Sequence, residues 1–266
     1  HPHELLTTNA DILAGFSSKG PTPYDFRIKP DVTAPGVNVL SSVFTRNAAG
    51  TYTPSYAFFQ GTSMATPHTA GAAALLLAAH PGWSPEQVKS ALVNNADRTV
   101  TGTSGLGPLA RGGGRINVER AMNAAATFDP ASVSFGGFTG GKLVFSSVDV
   151  TVTSEWTSSQ TCSVSLTAGS SAWLGFVGVS STSFTLGAGG AATVTVTFDG
   201  GQTAASGLYW GDVKFTCDGG TFLAPWFAGI QRSNGFLNGN QNSPASYFDP
   251  SYYGDPSLLV AGVWTG

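Results

Sequence analysis

An alanine- and leucine-rich stretch, residues 64–79, constrains the fold more than any other part of the chain. It contains seven alanines and three leucines, a composition that favours a helix and suits close burial. Gly61-Thr62-Ser63 precedes it, so Ser63 stands where a turn enters the predicted helix. The free N–H groups and positive partial charge of a helix start suit a nucleophile whose attack creates an oxyanion. The alternative is that Ser63 only caps the helix, as serine often does.

Three segments of the sequence carry a resemblance to a known family. Residues 61–71 read Gly-Thr-Ser-Met-Ala-Thr-Pro-His-Thr-Ala-Gly; residues 14–21 read Ala-Gly-Phe-Ser-Ser-Lys-Gly-Pro, and residues 29–39 read Lys-Pro-Asp-Val-Thr-Ala-Pro-Gly-Val-Asn-Val. In this order and at this spacing they resemble the subtilisin-like serine endopeptidases. The resemblance implies that Ser63 is the nucleophile and that its own backbone N–H is one oxyanion donor. It also implies that residues 1–126 form the C-terminal half of an α/β peptidase domain, with a partial parallel sheet and helices.

The family's aspartate, histidine and oxyanion-hole asparagine precede the serine, yet the 62 residues before Ser63 contain no matching motif. A serine without a base is a poor nucleophile, so the question is whether another histidine of the chain could be the base for Ser63. His68 lies five positions after Ser63, about 140° around the helix, and the resemblance makes it a packing residue. His80, at the helix exit, suits a solvated or capping role. His1 and His3 lack the glycine-flanked context of the catalytic histidine; a two-histidine metal site is the alternative, although no further ligand cluster appears.

The acidic and amide candidates do not complete the site either. Asp31 falls inside the matching segment 29–39 and Asp11 lies just before the segment 14–21. Neither matches the catalytic aspartate, and Asn9 is misplaced for the oxyanion asparagine. The chain therefore contains one member of the triad, Ser63. We predict that it is inactive alone and that its partner is the missing N-terminal half of the catalytic domain.

The residues around Ser63 predict short strands and further helices. Residues 12–16 and 37–43 are apolar segments between turn signals, which suits strands of a buried α/β sheet. Ser84-Pro85-Glu86-Gln87 predicts a second helix that begins with a capping box and has proline at its first position. Residues 112–126 resemble the family's last loop and closing helix. Their glycine run could be read instead as a phosphate cradle, but no strand precedes it and no Lys-Ser/Thr follows.

The composition changes at about residue 127, after which helix signals almost vanish. Short alternating segments rich in Val, Thr and Phe, separated by turn signals, predict an all-β antiparallel sandwich over residues 127–232. The predicted strands are residues 148–153, 162–166, 192–198, 211–217 and 221–227. The pattern resembles the fibronectin-type-III-like domain that follows the catalytic domain in larger subtilisin-like proteases. Residues 233–266 are predicted to be a linker or the start of a further module.

The two cysteines, Cys162 and Cys217, lie in separate predicted strands of this sandwich. They could be buried free thiols. We favour a disulfide, because the resemblance implies a secreted or cell-surface protein and an oxidising compartment.

The composition excludes several classes of partner. The net charge of −3 offers no basic stripe for nucleic acid, and no apolar run is long enough to span a membrane. We predict no metal site and no cofactor; calcium sites are common in the family, but no acidic cluster here can be assigned to one.

Two functions follow from these predictions. The first is a serine-type endopeptidase that hydrolyses peptide bonds of protein or peptide substrates through an acyl-enzyme on Ser63. The alternative is a non-catalytic binding or surface-attachment protein in which the β-sandwich is the working part, since such sandwiches host many functions.

Overall fold

A computed structural model describes residues 10–23, 25–139 and 143–232, and the chain there is mostly β-sheet with few helices. A helix-containing part comes first, and two facing sheets follow it. His1, His3 and Asn9, and the predicted linker or module over residues 233–266, lie outside the described residues.

Four α-helices lie among the described residues of the first part of the chain. They are α1 (Thr62–Ala79), α2 (Pro85–Asn94), α3 (Pro108–Arg111) and α4 (Val118–Met122). The capping box predicted for α2 is confirmed, because Gln87 N donates to Ser84 Oγ and Ser84 N donates to Gln87 Oε1. These two bonds satisfy backbone donors that a helix start leaves free, and they fix where α2 begins.

The predicted parallel sheet does not form among residues 10–126. Strands β1 (Val39–Arg46) and β2 (Tyr52–Phe59) instead make an antiparallel hairpin. Its turn is closed by Asn47, whose side chain accepts from the N–H groups of Ala49 and Thr51. In the described part of residues 10–126, parallel pairing occurs only as isolated bridges, from Ile12 to Thr101 and from Thr33 to Arg115. A parallel sheet needs several strands joined by crossovers, and a local hairpin is the pairing that the turn at Asn47 favours.

The second part consists of a five-stranded and a four-stranded sheet. The strands are β3 (Ala126–Asp129), β4 (Val133–Thr139), β5 (Val144–Ser154), β6 (Gln160–Ala168), β7 (Val177–Val179), β8 (Ser183–Leu186), β9 (Ala191–Gly201), β10 (Gly207–Cys217) and β11 (Gly220–Gln231). The five-stranded sheet has the order β4-β11-β10-β6-β8, and the four-stranded sheet has the order β3-β5-β9-β7. All neighbours are antiparallel except β4 and β11, which are parallel. The five strands predicted from sequence lie within β5, β6, β9, β10 and β11.

The main core fills the space between the two sheets. Its largest fully buried side chains include Trp226, Phe198 and Phe215. Along β9, which carries Phe198, buried residues alternate with more exposed ones, as the pleat requires. Cys162 and Cys217 are directly paired across β6 and β10 and form a disulfide that closes a separation of 55 residues.

The two parts of the chain share a second core. Ile28, Leu109 and Ala110 from the first part pack with Leu208 and Phe227 of the sandwich, and all five side chains are buried. This contact explains why β11 is buried on both faces near its end rather than on alternate residues.

A buried chain of hydrogen bonds also joins α2 to the sandwich. Phe128 N donates to Ser90 Oγ at 2.7 Å, and Ser90 Oγ donates to Asn94 Oδ1 at 2.8 Å. Asn94 Nδ2 then donates to the carbonyls of Ala131 and Leu223, at 2.8 and 3.1 Å. Because buried polar groups are costly when unpaired, these bonds fix α2 on the sheet edge in one position.

Candidate active site

Ser63 is the second residue of α1 and is exposed. The N-cap is Gly61, and no side-chain hydrogen bond caps this helix. The capping role that serine often takes is therefore not the role of Ser63. Within the described ranges no side chain hydrogen-bonds the Ser63 hydroxyl, which leaves its oxygen free to meet a ligand.

The turn before Ser63 is held by two glycines. Gly61 has φ +149°, a conformation that side-chain-bearing residues rarely adopt, and its N–H donates to the Gly36 carbonyl at 2.8 Å. A Cβ added at Gly36 would stand 2.9 Å from the Gly61 carbonyl oxygen. The loop over residues 30–37 therefore fixes the position of the turn, and through it the direction in which α1 presents Ser63.

The first turn of α1 has the electrostatic character of an oxyanion site. The leading N–H groups of a helix have no intrahelical carbonyl, and they carry the positive end of the helix dipole. No acidic residue lies in this first turn. Pro67 has no N–H, so it cannot donate to the Ser63 carbonyl four residues earlier. Thr66-Pro67 was a sequence signal for this local weakening of the helix, and sequence reasoning missed it.

Neither described histidine lies against Ser63. His68 is exposed, and its Nδ1 is 2.8 Å from the Met64 carbonyl of its own helix. Its predicted packing role is wrong, because the face of α1 that carries it faces solvent. His80 is half-buried: its Nε2 is 2.8 Å from the Met122 carbonyl, and its ring stacks on Trp83 with centroids 3.9 Å apart. His80 also ends α1 through its backbone N–H, which donates to Leu76, so the capping part of its prediction is confirmed.

The two acidic candidates, Asp11 and Asp31, are both engaged in ion pairs. Asp11 contacts Arg115 at 2.6 Å, and Arg115 also contacts Asp97 at 3.2 Å. Burial alone would raise the pKa of Asp97, but hydrogen bonds from Arg115 and Asn117 outweigh it and hold the pKa below its usual value. No group of three or more His, Cys, Asp or Glu side chains suited to a metal occurs in the part of the chain that the structure describes.

Asp31 is held by two lysines. Lys29 bonds to one of its oxygens, and Lys89 reaches the other at 2.8 Å. Burial would raise the pKa of Asp31, but the hydrogen bonds from the two lysines outweigh it, so its pKa is below the usual value. An aspartate fixed as a stable anion between lysines serves the loop over residues 30–37 rather than a proton transfer.

The glycine run at residues 112–114 is a packing element and not a phosphate cradle. Gly113 N donates to the Asp31 carbonyl at 2.9 Å. A Cβ at Gly112, Gly113 or Gly114 would stand between 2.0 and 2.4 Å from backbone oxygen atoms of neighbouring segments. The run is glycine because backbone passes against backbone there, and the space that a phosphate would need is filled.

A groove of about 810 Å³ runs beside α1. Residues 10–14, 30–37 and one side of α1 line it, including Thr62, Ala65 and Thr69, while Ser63 stands outside the lining. Only Ala72 and Leu76 of this 18-residue helix are buried, and Leu75 and Leu77 are exposed. A helix this apolar is normally covered on all sides, so α1 has an uncovered face along the groove.

Sequence comparisons match part of the chain to a peptidase family and to known proteases. Residues 6–113 match the family model described as Peptidase_S8: Subtilase family. The chain is 41% identical over 127 residues to the minor extracellular protease Vpr of Bacillus subtilis, across 47% of this chain and 16% of that protein. It is 36% identical over 139 residues to subtilisin-like protease SBT4.14 of Arabidopsis thaliana, across 50% of this chain and 19% of that protein. The match thus spans less than a fifth of the length of either relative.

Among solved structures, a PapD-like domain of human CEP192 matches with a TM-score of 0.35 and 15% identity, over 41% of this chain and 87% of that domain. A likeness at this level carries no argument about fold or function. The fibronectin-type-III-like character of the sandwich therefore stays a prediction. In the described residues no helix is long and apolar enough to cross a membrane.

Proposed function

We propose that the chain is part of a subtilisin-like serine endopeptidase and that Ser63 is its nucleophile. The Ser63 oxygen bonds to the carbonyl carbon of a peptide, and the amine leaves as the C–N bond breaks. The proton of the hydroxyl passes to a histidine from outside this chain and then to the leaving amine. Water then hydrolyses the acyl-enzyme. The Ser63 backbone N–H is one donor to the oxyanion.

One observation carries this proposal: an exposed serine without a capping role opens a helix inside the region that matches the subtilase family. Its hydroxyl has no partner among the described side chains, and the glycine contact between Gly36 and Gly61 fixes its position. A serine that served only to start the helix would bond back to the helix N–H groups. Ser63 does not.

We further propose that this chain is inactive alone and needs the N-terminal half of the catalytic domain. The groove beside α1 and the apolar side chains of Leu75 and Leu77 support this partner. So do the isolated parallel bridges at Ile12 and Thr33, which leave strand edges free for further pairing. The missing half would cover the helix, extend the sheet and bring the base to Ser63.

The substrates proposed are proteins or peptides, and the location proposed is secreted or cell-surface. The printed name of the Bacillus subtilis relative describes an extracellular protease. The disulfide between Cys162 and Cys217 suits an oxidising compartment. The net charge of −3 gives no support for a nucleic-acid partner, and we propose no cofactor.

A fluorophosphonate probe tests the nucleophile. The reading frame is extended upstream of His1, and the longer protein is treated with the probe and assayed on casein. We expect adduct on Ser63 and hydrolysis of casein, both abolished by Ser63→Ala and both retained by Ser41→Ala, a matched change at an exposed serine of β1. The 266-residue chain alone should stay unlabelled.

Different results separate the parts of the proposal. Labelling of the chain alone would refute the need for an outside base while keeping Ser63 as nucleophile. If the longer protein contains an aspartate and a histidine but is neither labelled nor active, the peptidase proposal is wrong. The binding or surface-attachment function of the sandwich would then be the better account.

A further inference from the structure

The hairpin of β1 and β2 carries large apolar side chains that are exposed to solvent. The register pairs β1 with β2 so that one face carries large side chains and the other carries mainly small ones. We call the first the aromatic face; its residues are Leu40, Ser42, Phe44, Arg46, Tyr52, Pro54, Tyr56 and Phe58, and all are exposed. An antiparallel sheet with one wet side normally turns its polar side to water. This hairpin exposes its apolar side, although Ser41, Thr45, Thr53 and Phe59 on the opposite face are exposed as well.

The exposed area is large for a surface without a partner. Tyr56 is 75% exposed, Phe44 72%, Phe58 67%, Tyr52 63% and Leu40 56%. Since an aromatic side chain can bury 150–250 Å², these five together offer roughly 600 Å². That is at the upper end of the patches found on monomers and about three quarters of one partner's share of a standard interface.

We infer that the aromatic face is the contact surface between two copies of this chain. Two such faces can stack across a two-fold axis with their strands running in opposite directions, as sheets do at about 10 Å separation. Each copy then offers the same surface to the other. Because both copies use the aromatic face, the two contact surfaces have the same area, and no second kind of surface is needed.

The placement of charge favours a second copy over a charged partner. The hairpin over residues 39–59 contains a single charged residue, Arg46, and its guanidinium lies 6.0 Å from the centre of the Tyr52 ring. Arg46 stands at one end of the face and Leu40 at the other, about 20 Å apart at 3.3 Å per residue. An antiparallel stack therefore places the two guanidinium groups at opposite ends, where they do not repel each other strongly. No acidic or basic patch is present on this face to select a charged protein.

The oligomeric state of the full 266-residue chain tests this inference, by sedimentation equilibrium over a micromolar concentration series. We expect a mass twice that of the chain at the upper concentrations. Phe58→Ser should weaken the dimer by at least about 30-fold in Kd, because it removes a buried aromatic anchor from each copy. Phe59→Ser is the matched control, because the neighbouring Phe59 lies on the opposite face, and it should leave the Kd within about threefold.

Cross-linking gives a second readout that does not depend on affinity. Ser42 and Ser41 are adjacent and exposed but point to opposite faces of the hairpin. Ser42→Cys should give a covalent dimer with a short bis-maleimide, and Ser41→Cys should not. A monomer at every concentration, equal weakening by the two phenylalanine variants, or equal cross-linking of the two cysteine variants would overturn the inference. So would loss of the dimer on Leu75→Ser with retention on Phe58→Ser, since the contact would then lie on α1.

Discussion

Asp212 is the residue whose replacement tests most sharply how the two parts of the chain are joined. Its carboxylate contacts Arg98 at 3.0 Å and Arg111 at 3.8 Å, and the side chains of all three residues are less than a fifth exposed. Burial lowers the pKa of Arg98 and of Arg111, and the charge of Asp212 offsets part of that effect. The carboxylate thus compensates two buried cations that belong to the first part of the chain.

Asp212→Ala should destabilise the chain by about 3 kcal/mol. Removing one partner of a buried ion pair costs about 3–5 kcal/mol, because the remaining charge is left uncompensated. We take the lower end, since Arg98 keeps a hydrogen bond of 2.8 Å to the Leu223 carbonyl. Arg111 Nη1 already has no hydrogen-bond partner within the described residues, so its guanidinium would lose its main compensation.

Urea unfolding of the full chain measures this loss, and thermal unfolding should show a fall in Tm of about 6–12 °C for a protein of this size. Asp149→Asn is the control, because it removes a negative charge from an exposed position of β5 and should change the free energy of unfolding by less than about 0.5 kcal/mol. A second variant, Asp212→Leu with Arg98→Met, should recover part of the loss, as apolar replacements of buried pairs often do. If Asp212→Ala costs less than about 1 kcal/mol, the pair behaves as a surface ion pair and the junction is not held as described.

Three further perturbations test the structure. Reducing the Cys162–Cys217 disulfide should lower the free energy of unfolding by about 4 kcal/mol, a value given by the loop length in the chain-entropy model. Urea unfolding with and without reductant measures this loss, and an unchanged midpoint with both thiols free would contradict it. The pKa of Asp31 is lowered in the folded chain. Its contribution to the free energy of unfolding is therefore complete above the unfolded pKa near 3.9, and it is lost as the pH falls through the lower folded pKa. Lys89→Met should therefore flatten the decline of stability below about pH 4, and an unchanged pH profile would refute the role of the pair. Gly113→Ala should lower the free energy of unfolding by several kcal/mol and lower the soluble yield, because the added Cβ would stand 2.4 Å from the Val93 carbonyl oxygen. A variant as stable as the original chain would show that the backbone at residue 113 can move away from the backbone at Val93.

Much of the sandwich could be predicted from sequence, because its strands alternate apolar and polar residues at the period of the pleat. The same is true of α2, where a local hydrogen-bond pattern over Ser84–Gln87 fixes the start. In both cases the decisive interactions lie within a few residues or repeat along one strand. Such elements can therefore be predicted from the sequence around them.

The pairing of Val39–Arg46 could not be predicted in the same way. Its apolar residues suit either a buried parallel strand or a hairpin, and the choice depends on which neighbour is present. The contact of Gly36 with Gly61 and the ion pairs of Arg115 were also missed, since they join residues 18 or more positions apart. Nothing in the spacing of these residues encodes such contacts. Ser63 itself could be placed at the start of α1, because that position depends on the turn and helix signals around it.

The two longest helices, α1 and α2, differ sharply in burial. The difference shows which of them the described residues cover. Every residue of α2 from Ser90 to Asn94 is buried, and the polar groups of Ser90 and Asn94 are bonded to the sandwich. In α1 only Ala72 and Leu76 are buried, although its composition is the more apolar. The sandwich therefore completes the environment of α2 and does not reach α1. The helix that carries Ser63 is the element that the described residues leave partly uncovered, which is the physical reason to look for the base of the proposed reaction on whatever covers that helix.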